Sequence, residues 1–228
     1  MIISHRHQFI FIKTEKTAGT SIEIALSKFC GDEEIITPLV PKDEQIRQEI
    51  SGRGAQNYLV PKNKYTPRKW AKLLIKGKSS EFYNHITAKE IKQFVSPGVW
   101  NNYFKFCFER NPWDKVISWY YWRYKSEPRP SITEFIDSGE AKKVSGYPLY
   151  TIDGQVVADK IGLFENLSEE LAAISTQLQL PEQVELPQTK SGFRKDRRHY
   201  SDILTAQDKN AIATLFQREI ELLGYTYS

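Results

Sequence analysis

Two short stretches of the sequence carry side chains of the types that bind anions. In the first, "FIFIKTEKTAGTSIEIAL" from Phe9 to Leu26, an apolar run becomes a polar loop with two lysines and one glycine, and then a helical pattern. A helix start offers unbonded amides and the positive end of the helix dipole, and loop lysines add charge at the same place. This order of strand, loop and helix predicts a cradle for a phosphate-like group.

The loop supplies several donors for such an anion. Gly19 lets the backbone come close to it, and Thr17, Thr20 and Ser21 add hydroxyl groups. The nucleoside-triphosphatase loop places its lysine after a second glycine and directly before a serine or threonine. Here Lys16 precedes the glycine, and no carboxylate is arranged to hold magnesium. The pattern therefore favours a compact anion that side chains and backbone bind without metal.

The second stretch, "FCFERNPWDKVISWYYW" from Phe106 to Trp122, repeats the order of strand, turn and helix. Arg110 ends the strand, and Ser118 follows about two helical turns later, where both can face one ligand. A guanidinium with a hydroxyl suits a terminal phosphate. Two anion sites at neighbouring strand ends indicate a nucleotide with phosphate at both ends, bound across the carboxyl edge of a parallel sheet.

The elements around these stretches alternate between strands and helices. Buried strands are predicted at Gln8 to Lys13 and Tyr103 to Glu109, and Pro112 suits an early helical position. Helices are predicted at Thr20 to Phe29, from Thr87, from Pro112 to Arg123, at Ile132 to Asp137, at Ser168 to Leu178 and at Thr205 to Leu223. Thr20 with Glu23, and Thr87 with Glu90, fit capping boxes, and the second places His85 just before a helix. The alternation predicts an α/β fold with a largely parallel sheet covered on both faces.

Composition fits an ordinary globular protein of one domain over residues 1–228, with 40% hydrophobic and 26% charged residues. A formal charge of +4 suits an anionic ligand or polymer. No apolar stretch approaches a membrane span and the N-terminus lacks the order of a secretory signal, so a cytoplasmic location without membrane insertion is expected. Cys30 and Cys107 lack a metal-type spacing and are predicted to be buried thiols.

Several segments have a more open interpretation. Basic residues cluster at Lys62 to Lys78 and Lys190 to Tyr200, where a binding surface and a plain solvated surface are both possible. Residues from Asp32 to Ser80 are predicted to form loops and short helices that shape substrate choice. His5 and His7 suit a strand edge better than a metal site, since zinc needs more ligands than two.

Known proteins share these motifs. "EKTAGTS" (Glu15 to Ser21) resembles the 5′-phosphosulfate loop of sulfotransferases, and "ERNPWDKVISWYYW" resembles their 3′-phosphate site. The order of the motifs, their strand contexts and the intervening "YNHITAKEI" (Tyr83 to Ile91) together look most like the carbohydrate-type branch related to heparan-sulfate 2-O and chondroitin sulfotransferases. The later stretches "ADKIGLFENLSEEL", "LPQTKSG" and "LLGY" also match that pattern. The resemblance spans nearly the whole chain and is weakest from Asp32 to Ser80.

The resemblance implies a P-loop-like three-layer fold in which helices flank a central, mainly parallel sheet. It implies transfer of a sulfuryl group from 3′-phosphoadenosine 5′-phosphosulfate to a hydroxyl, with a carbohydrate or glycan-like acceptor expected and no metal. The 5′ end of the donor is assigned to Lys16, Thr17, Ala18, Gly19, Thr20 and Ser21. Arg110 and Ser118 are assigned to the 3′-phosphate, Lys16 to the leaving group, and His85 to the general base.

The sequence departs from the family pattern at two positions. Glu15 stands where the family usually has proline, and Lys13 stands where an aromatic residue or histidine is frequent. An acid beside an anion site would weaken donor binding, so we expect the side chain of Glu15 to point outward.

Two other classes of protein compete with a sulfotransferase. A small kinase or other nucleotide-dependent phosphotransferase would need a Walker lysine and a metal-binding acid, and the sequence offers neither clearly. A non-catalytic module could bind polyanions or nucleic acid through the basic clusters, with steep salt dependence and little preference for a 3′-phosphate. The two motifs in order favour the enzyme, with no nucleic-acid partner.

Overall fold

The computed structural model describes residues 1–187, 196 and 198–227. The strands are β1 (Ile2–Ser4), β2 (Phe9–Phe11), β3 (Ile35–Ile36), β4 (Phe104–Glu109), β5 (Thr151–Ile152), β6 (Gln155–Val156) and β7 (Lys160–Leu163). Five of them form one sheet in the order β3, β1, β2, β4, β7, and β5 pairs with β6 separately. Strands β2, β4 and β7 are parallel, whereas β1 is antiparallel to both of its neighbours. The central sheet is therefore mostly parallel, as predicted.

Helices flank this sheet. They are α1 (Gly19–Leu26), α2 (Pro41–Glu49), α3 (Pro67–Lys76), α4 (Ala88–Phe94), α5 (Pro97–Asn102), α6 (Pro112–Arg123), α7 (Ile132–Asp137), α8 (Tyr147–Tyr150), α9 (Leu167–Gln177), α10 (Ala206–Leu215) and α11 (Gln217–Leu223). Within the described ranges, no helix is long and apolar enough to cross a membrane.

The pleat of β2 and β4 divides the core between the two faces of the sheet. Phe9, Phe11 and Phe106 point to one face, where they pack with residues of α1 and α9. Ile10 and Cys107 point to the other face, where they pack with residues of α4 and the segment before it. Successive side chains of a strand alternate between faces, so these near-continuous apolar runs require cover on both sides. A third cluster joins α6, α7 and α10 beside the sheet.

Most predicted elements form, and two capping predictions need correction. The helix predicted at Thr20 begins at Gly19, and its N-cap residue is Ala18, which has φ of 58° and makes no side-chain cap. Glu23 cannot complete a capping box because its buried carboxylate bonds Lys13 instead. At α4 the side chain of Thr87 accepts from the Glu90 amide as predicted. The carboxylate of Glu90 accepts from the hydroxyls of Thr87 and Tyr83 rather than from the Thr87 amide.

The long C-terminal helix predicted from Thr205 to Leu223 is instead two helices. Phe216 leaves helical geometry, with φ of −115° and ψ of 23°, and is buried in the third cluster. The break lets α10 and α11 each turn an apolar side to the core. The amphipathic pattern alone does not reveal it, because both helices keep nearly the same period.

Other predictions can also be checked against the fold. Cys30 and Cys107 are buried free thiols, as predicted. The segment from Asp32 to Ser80 contains loops with α2, α3 and the short strand β3. Most of the basic cluster from Lys190 to Tyr200, and the later part of "LPQTKSG" (Leu186 to Gly192), lie outside the described residues.

Candidate functional site

The loop between β2 and α1 has an unusual backbone. Lys16 and Ala18 both have left-handed conformations, with φ of 60° and 58°. Such residues in a tight turn direct successive amides to one side, which makes a concave site for anions. The first turn of α1 follows directly, and its amides have no acceptor one turn earlier within the helix. Thr20 and Ser21 lie half-buried in that first turn.

Gly19 is required at this point by close packing. A Cβ atom built on Gly19 would lie 2.8 Å from Cγ of Lys13 and 3.2 Å from the carbonyl oxygen of Thr14. Gly19 is not needed for a positive φ, because the residues with positive φ in this loop are Lys16 and Ala18. Glycine therefore lets the helix start approach the end of β2, which brings the loop close to the sheet.

Hydroxyl groups anchor the loop to β4. The Thr14 hydroxyl donates to the carbonyl oxygen of Phe108 and lies 2.9 Å from the hydroxyl oxygen of Thr17. Thr17 is buried, and its hydroxyl is also 3.3 Å from the Thr14 carbonyl oxygen. Contact between Thr17 and a bound anion would therefore come from its main-chain amide.

The second motif lies directly beside this loop. Asn111 caps α6 by accepting from the amides of Trp113 and Asp114, which fixes the turn that carries Arg110. Nη1 of Arg110 donates to the carbonyl oxygen of Lys16 at 3.2 Å and lies 3.5 Å from the hydroxyl of Ser118. The two motifs, 94 residues apart in the chain, thus meet at adjacent ends of β2 and β4.

Arg110 also has neighbours that the sequence motif did not predict. Its Nε and Nη2 atoms lie 2.8 and 2.5 Å from Oδ2 of Asp114, one helical turn away. The guanidinium stacks 4.2 Å from the ring centre of Phe164. These contacts hold the guanidinium in one orientation. The spacing of four residues between Arg110 and Asp114 was the available sequence signal.

The ammonium group of Lys16 is in a mostly protein-lined environment. It lies 5.7 Å from the ring centre of Trp122. Burial, assisted by the positive charge of Arg110, lowers the pKa of Lys16 to about 8, while Glu15 opposes the shift. Because the ammonium is poorly hydrated, a bound anion would compensate it strongly.

His85 is brought to the same loop. Its backbone is left-handed, with φ of 58°, and Nδ1 lies 2.9 Å from the carbonyl oxygen of Lys13. Burial and the neighbouring charge of Lys13 lower the pKa of His85 to about 4, so the imidazole is neutral near pH 7. The other ring nitrogen, Nε2, lies 3.4 Å from Oε1 of Glu15.

The prediction that Glu15 points outward is wrong. Its side chain is only 26% exposed and faces His85. Burial raises the pKa of Glu15, and Lys115, Lys16 and Lys13 oppose that shift. Burial has the larger influence and disfavours the ionised carboxylate, and the three lysines offset it only in part.

Lys13 has a structural role that its position in the motif did not suggest. Its ammonium lies 2.8 Å from Oε2 of Glu23 and 3.0 Å from Oδ1 of Asn84. The other carboxylate oxygen of Glu23 lies 3.2 Å from Nη2 of Arg47. This buried cluster joins β2, α1 and α2 to Asn84, the residue before His85. A glutamate on the buried side of α1 was the signal for it.

Comparison with known proteins identifies the family of this chain. A sequence model of the sulfotransferase family matches residues 1–226. The chain belongs to the sulfotransferase family. An uncharacterized protein of Archaeoglobus fulgidus is 36% identical to it over 101 residues, which cover 42% of this chain and 84% of the archaeal protein. No solved structure matches the chain significantly.

Membership of the sulfotransferase family makes the protein an enzyme that transfers sulfuryl groups, with a hydroxyl-bearing acceptor in general. It does not favour the phosphotransferase or the polyanion-binding module. Within the described part of the chain, no group of three or more histidine, cysteine, aspartate or glutamate residues is placed to hold a metal ion.

Proposed function

We propose that this sulfotransferase takes its sulfuryl group from 3′-phosphoadenosine 5′-phosphosulfate and transfers it to a hydroxyl of a carbohydrate or glycan-like acceptor. The observation that carries the proposal is the contact between the two motifs: Arg110 donates to the Lys16 carbonyl and approaches Ser118. A nucleotide with phosphate at both ends could bind across these adjacent strand ends. We further propose that residues 1–228 form one domain with a P-loop-like fold.

The donor would be held by both sides of this site. Lys16 and the backbone from Thr17 to Ser21 are proposed to bind the 5′-phosphosulfate, where the left-handed residues and the start of α1 direct amides toward an anion. Arg110 and Ser118 are proposed to bind the 3′-phosphate. Asp114 keeps one edge of the guanidinium occupied, so the 3′-phosphate would contact the edge that carries Nη1.

The reaction follows the physics of phosphoryl transfer. The acceptor oxygen attacks sulfur in line, the bond from sulfur to the 5′-phosphate oxygen breaks, and negative charge develops on the leaving phosphate. Lys16 would stabilise that charge from its poorly hydrated position. His85 would take the acceptor proton, because its neutral imidazole lies at the same loop.

The acceptor is proposed to bind beside His85. An open groove of about 830 Å³ lies between α3 and α4, and its lining includes Lys72, Lys76, Tyr83 and Glu90. Tyr83, which lines the groove, is two residues before His85 in the chain. The aromatic ring and the charged groups suit a sugar with polar substituents.

Donor binding is the first test. Thermal-shift measurements with 3′,5′-bisphosphoadenosine should show strong stabilisation, whereas adenosine monophosphate should show much less, since binding to the native state raises its apparent stability. Radiolabelled sulfate transfer to a panel of hydroxyl compounds would then identify the acceptor. Equal stabilisation by both nucleotides would contradict the proposed 3′-phosphate site. The cytoplasmic location stays a prediction from the sequence, to be tested by cell fractionation.

A further inference from the structure

We propose that Glu15 and His85 work as one proton-accepting pair, in which the Glu15 carboxylate is the counterion of the imidazolium that forms when His85 takes the acceptor's proton. This inference rests on the proposed function, and it adds Glu15 as a positioning residue that acts through His85.

The hydrogen bonds of His85 determine which of its nitrogens can accept a proton. Nδ1 lies 2.9 Å from the carbonyl oxygen of Lys13. A carbonyl oxygen only accepts, so Nδ1 carries the hydrogen and donates it. The lone pair of the neutral ring is therefore on Nε2, the atom that lies 3.4 Å from Oε1 of Glu15. An ionised Glu15 gains from this proximity only when Nε2 carries a proton.

The surroundings of the pair are otherwise unfavourable to a cationic imidazole. Burial and the charge of Lys13 disfavour protonated His85, whereas the hydrogen bond to the Lys13 carbonyl and the charge of Glu23 favour it. The Glu23 carboxylate, however, already contacts Lys13 and Arg47. Burial, the largest influence, disfavours the ionised form of Glu15. The positive charges of Lys115, Lys16 and Lys13 act against burial and favour the carboxylate that serves as counterion.

A base of very low pKa is inefficient near neutral pH, since proton transfer to it is uphill. Burial and the charge of Lys13 make His85 a base of this kind. An ionised carboxylate at ion-pair distance from the new N–H favours the charged form and makes the imidazole a stronger base. Glu15 is the charged group placed to supply this stabilisation during the reaction.

The proton and electron changes balance within the reaction already described. The acceptor O–H bond breaks as the oxygen bonds to sulfur, and the bond from sulfur to the 5′-phosphate oxygen breaks. The proton moves to the lone pair of Nε2. The resulting imidazolium donates from Nδ1 to the Lys13 carbonyl, and Glu15, 3.4 Å from Nε2, compensates its charge. It then releases the proton to solvent after the products leave.

Two measurements on Glu15→Gln test the pair. Nuclear magnetic resonance titration of labelled histidine, assigned with His85→Asn, should show in the wild type a second inflection of the His85 signals where Glu15 titrates, and Glu15→Gln should abolish that inflection, because the amide does not titrate. The kcat at the pH plateau should fall about tenfold, and the acid limb of the rate profile should move to lower pH. Binding of 3′,5′-bisphosphoadenosine should be unchanged or tighter, since an acid has been removed beside an anion site. A purely structural role for Glu15 would not produce opposite effects on rate and binding.

Controls separate the pair from the proposed function. Glu33 is exposed, and Glu33→Gln is a matched control. This variant should change neither the titration of His85 nor kcat. Glu15→Asp keeps the negative charge and should retain part of the rate of sulfate transfer. This variant also tests the pair if Glu15→Gln folds poorly. His85→Ala sets the lower limit of kcat, which should fall by about 10²–10⁴-fold. An unchanged His85 titration in Glu15→Gln would overturn the pair. Because that titration needs no turnover, a failure of sulfate transfer would count against the proposed function alone.

Discussion

Two positively charged regions of this molecule differ sharply in how they are held. At the ends of β2 and β4, Lys13, Lys16 and Arg110 each contact groups from other elements. Helix α3 is equally basic but buries none of its residues, and Leu74 and Ile75 on it are each 80% exposed. The first region has fixed geometry supplied by the core, and the second has a strong local pattern with little tertiary support. Chemistry that needs sub-ångström positioning belongs in the first.

The largest effect is expected from the buried carboxylate beneath the site. Glu23→Gln leaves Lys13 and Arg47 buried without their shared counterion. We expect a loss of about 3–5 kcal/mol in the free energy of unfolding, because breaking a buried ion pair exposes the full desolvation cost of the remaining charges. The melting temperature should fall by roughly 10 °C. Chemical denaturation of this variant beside the exposed control Glu33→Gln would measure it, and a loss below about 1 kcal/mol would contradict a structural role for the cluster.

The buried cluster of Lys13, Glu23 and Arg47 shows which features of the site the sequence could not predict. The strands and the loop before α1 follow from local patterns, namely an apolar run, a glycine and a helical period. The direction of Glu15 and the second role of Lys13 depend on His85 and Glu23, which contact them across 70 and 10 residues of chain. Short strands such as β1 and β3 were missed for the same reason, since two or three residues carry no period of their own. Local pattern therefore predicted the loop between β2 and α1, whereas its electrostatic surroundings needed the fold.

The second-largest effect is expected on the rate of catalysis, from a change at the ends of β2 and β4. Lys16→Ala should lower kcat for sulfate transfer by about 10²–10³-fold, the usual result of removing one group that stabilises developing charge. The fold should survive, because Lys16 forms no buried ion pair of the kind that Glu23 makes with any residue that the structure describes. The exposed Lys143, which pairs with Glu140 at the surface, offers Lys143→Ala as a control of the same charge. A rate equal to that of the wild type would refute the role of Lys16.

A third, smaller effect separates the two phosphates of the donor. Arg110→Ala should weaken the binding of 3′,5′-bisphosphoadenosine by about 10–100-fold, since hydrogen bonds to a charged group contribute about 1.5–3 kcal/mol each. Binding of adenosine monophosphate, which lacks the 3′-phosphate, should change much less. Isothermal calorimetry with both nucleotides would show that Arg110→Ala has lost the preference for 3′,5′-bisphosphoadenosine over adenosine monophosphate. If both affinities fell equally, Arg110 would instead be supporting the Lys16 loop through its bond to the Lys16 carbonyl.

The smallest effect is expected on α3. Leu74→Ala should change the free energy of unfolding by no more than about 0.5 kcal/mol, because an exposed side chain loses almost no buried area on truncation. In contrast, Ile22→Ala in the fully buried part of α1 should cost about 2–5 kcal/mol. Denaturation curves of the two variants give the comparison directly. A cost above about 1 kcal/mol for Leu74→Ala would mean that α3 is packed against something in solution, and the contrast between the two basic regions would then fail. With the expected result, changes on α3 can be tested for their effect on acceptor choice without disturbing the donor site.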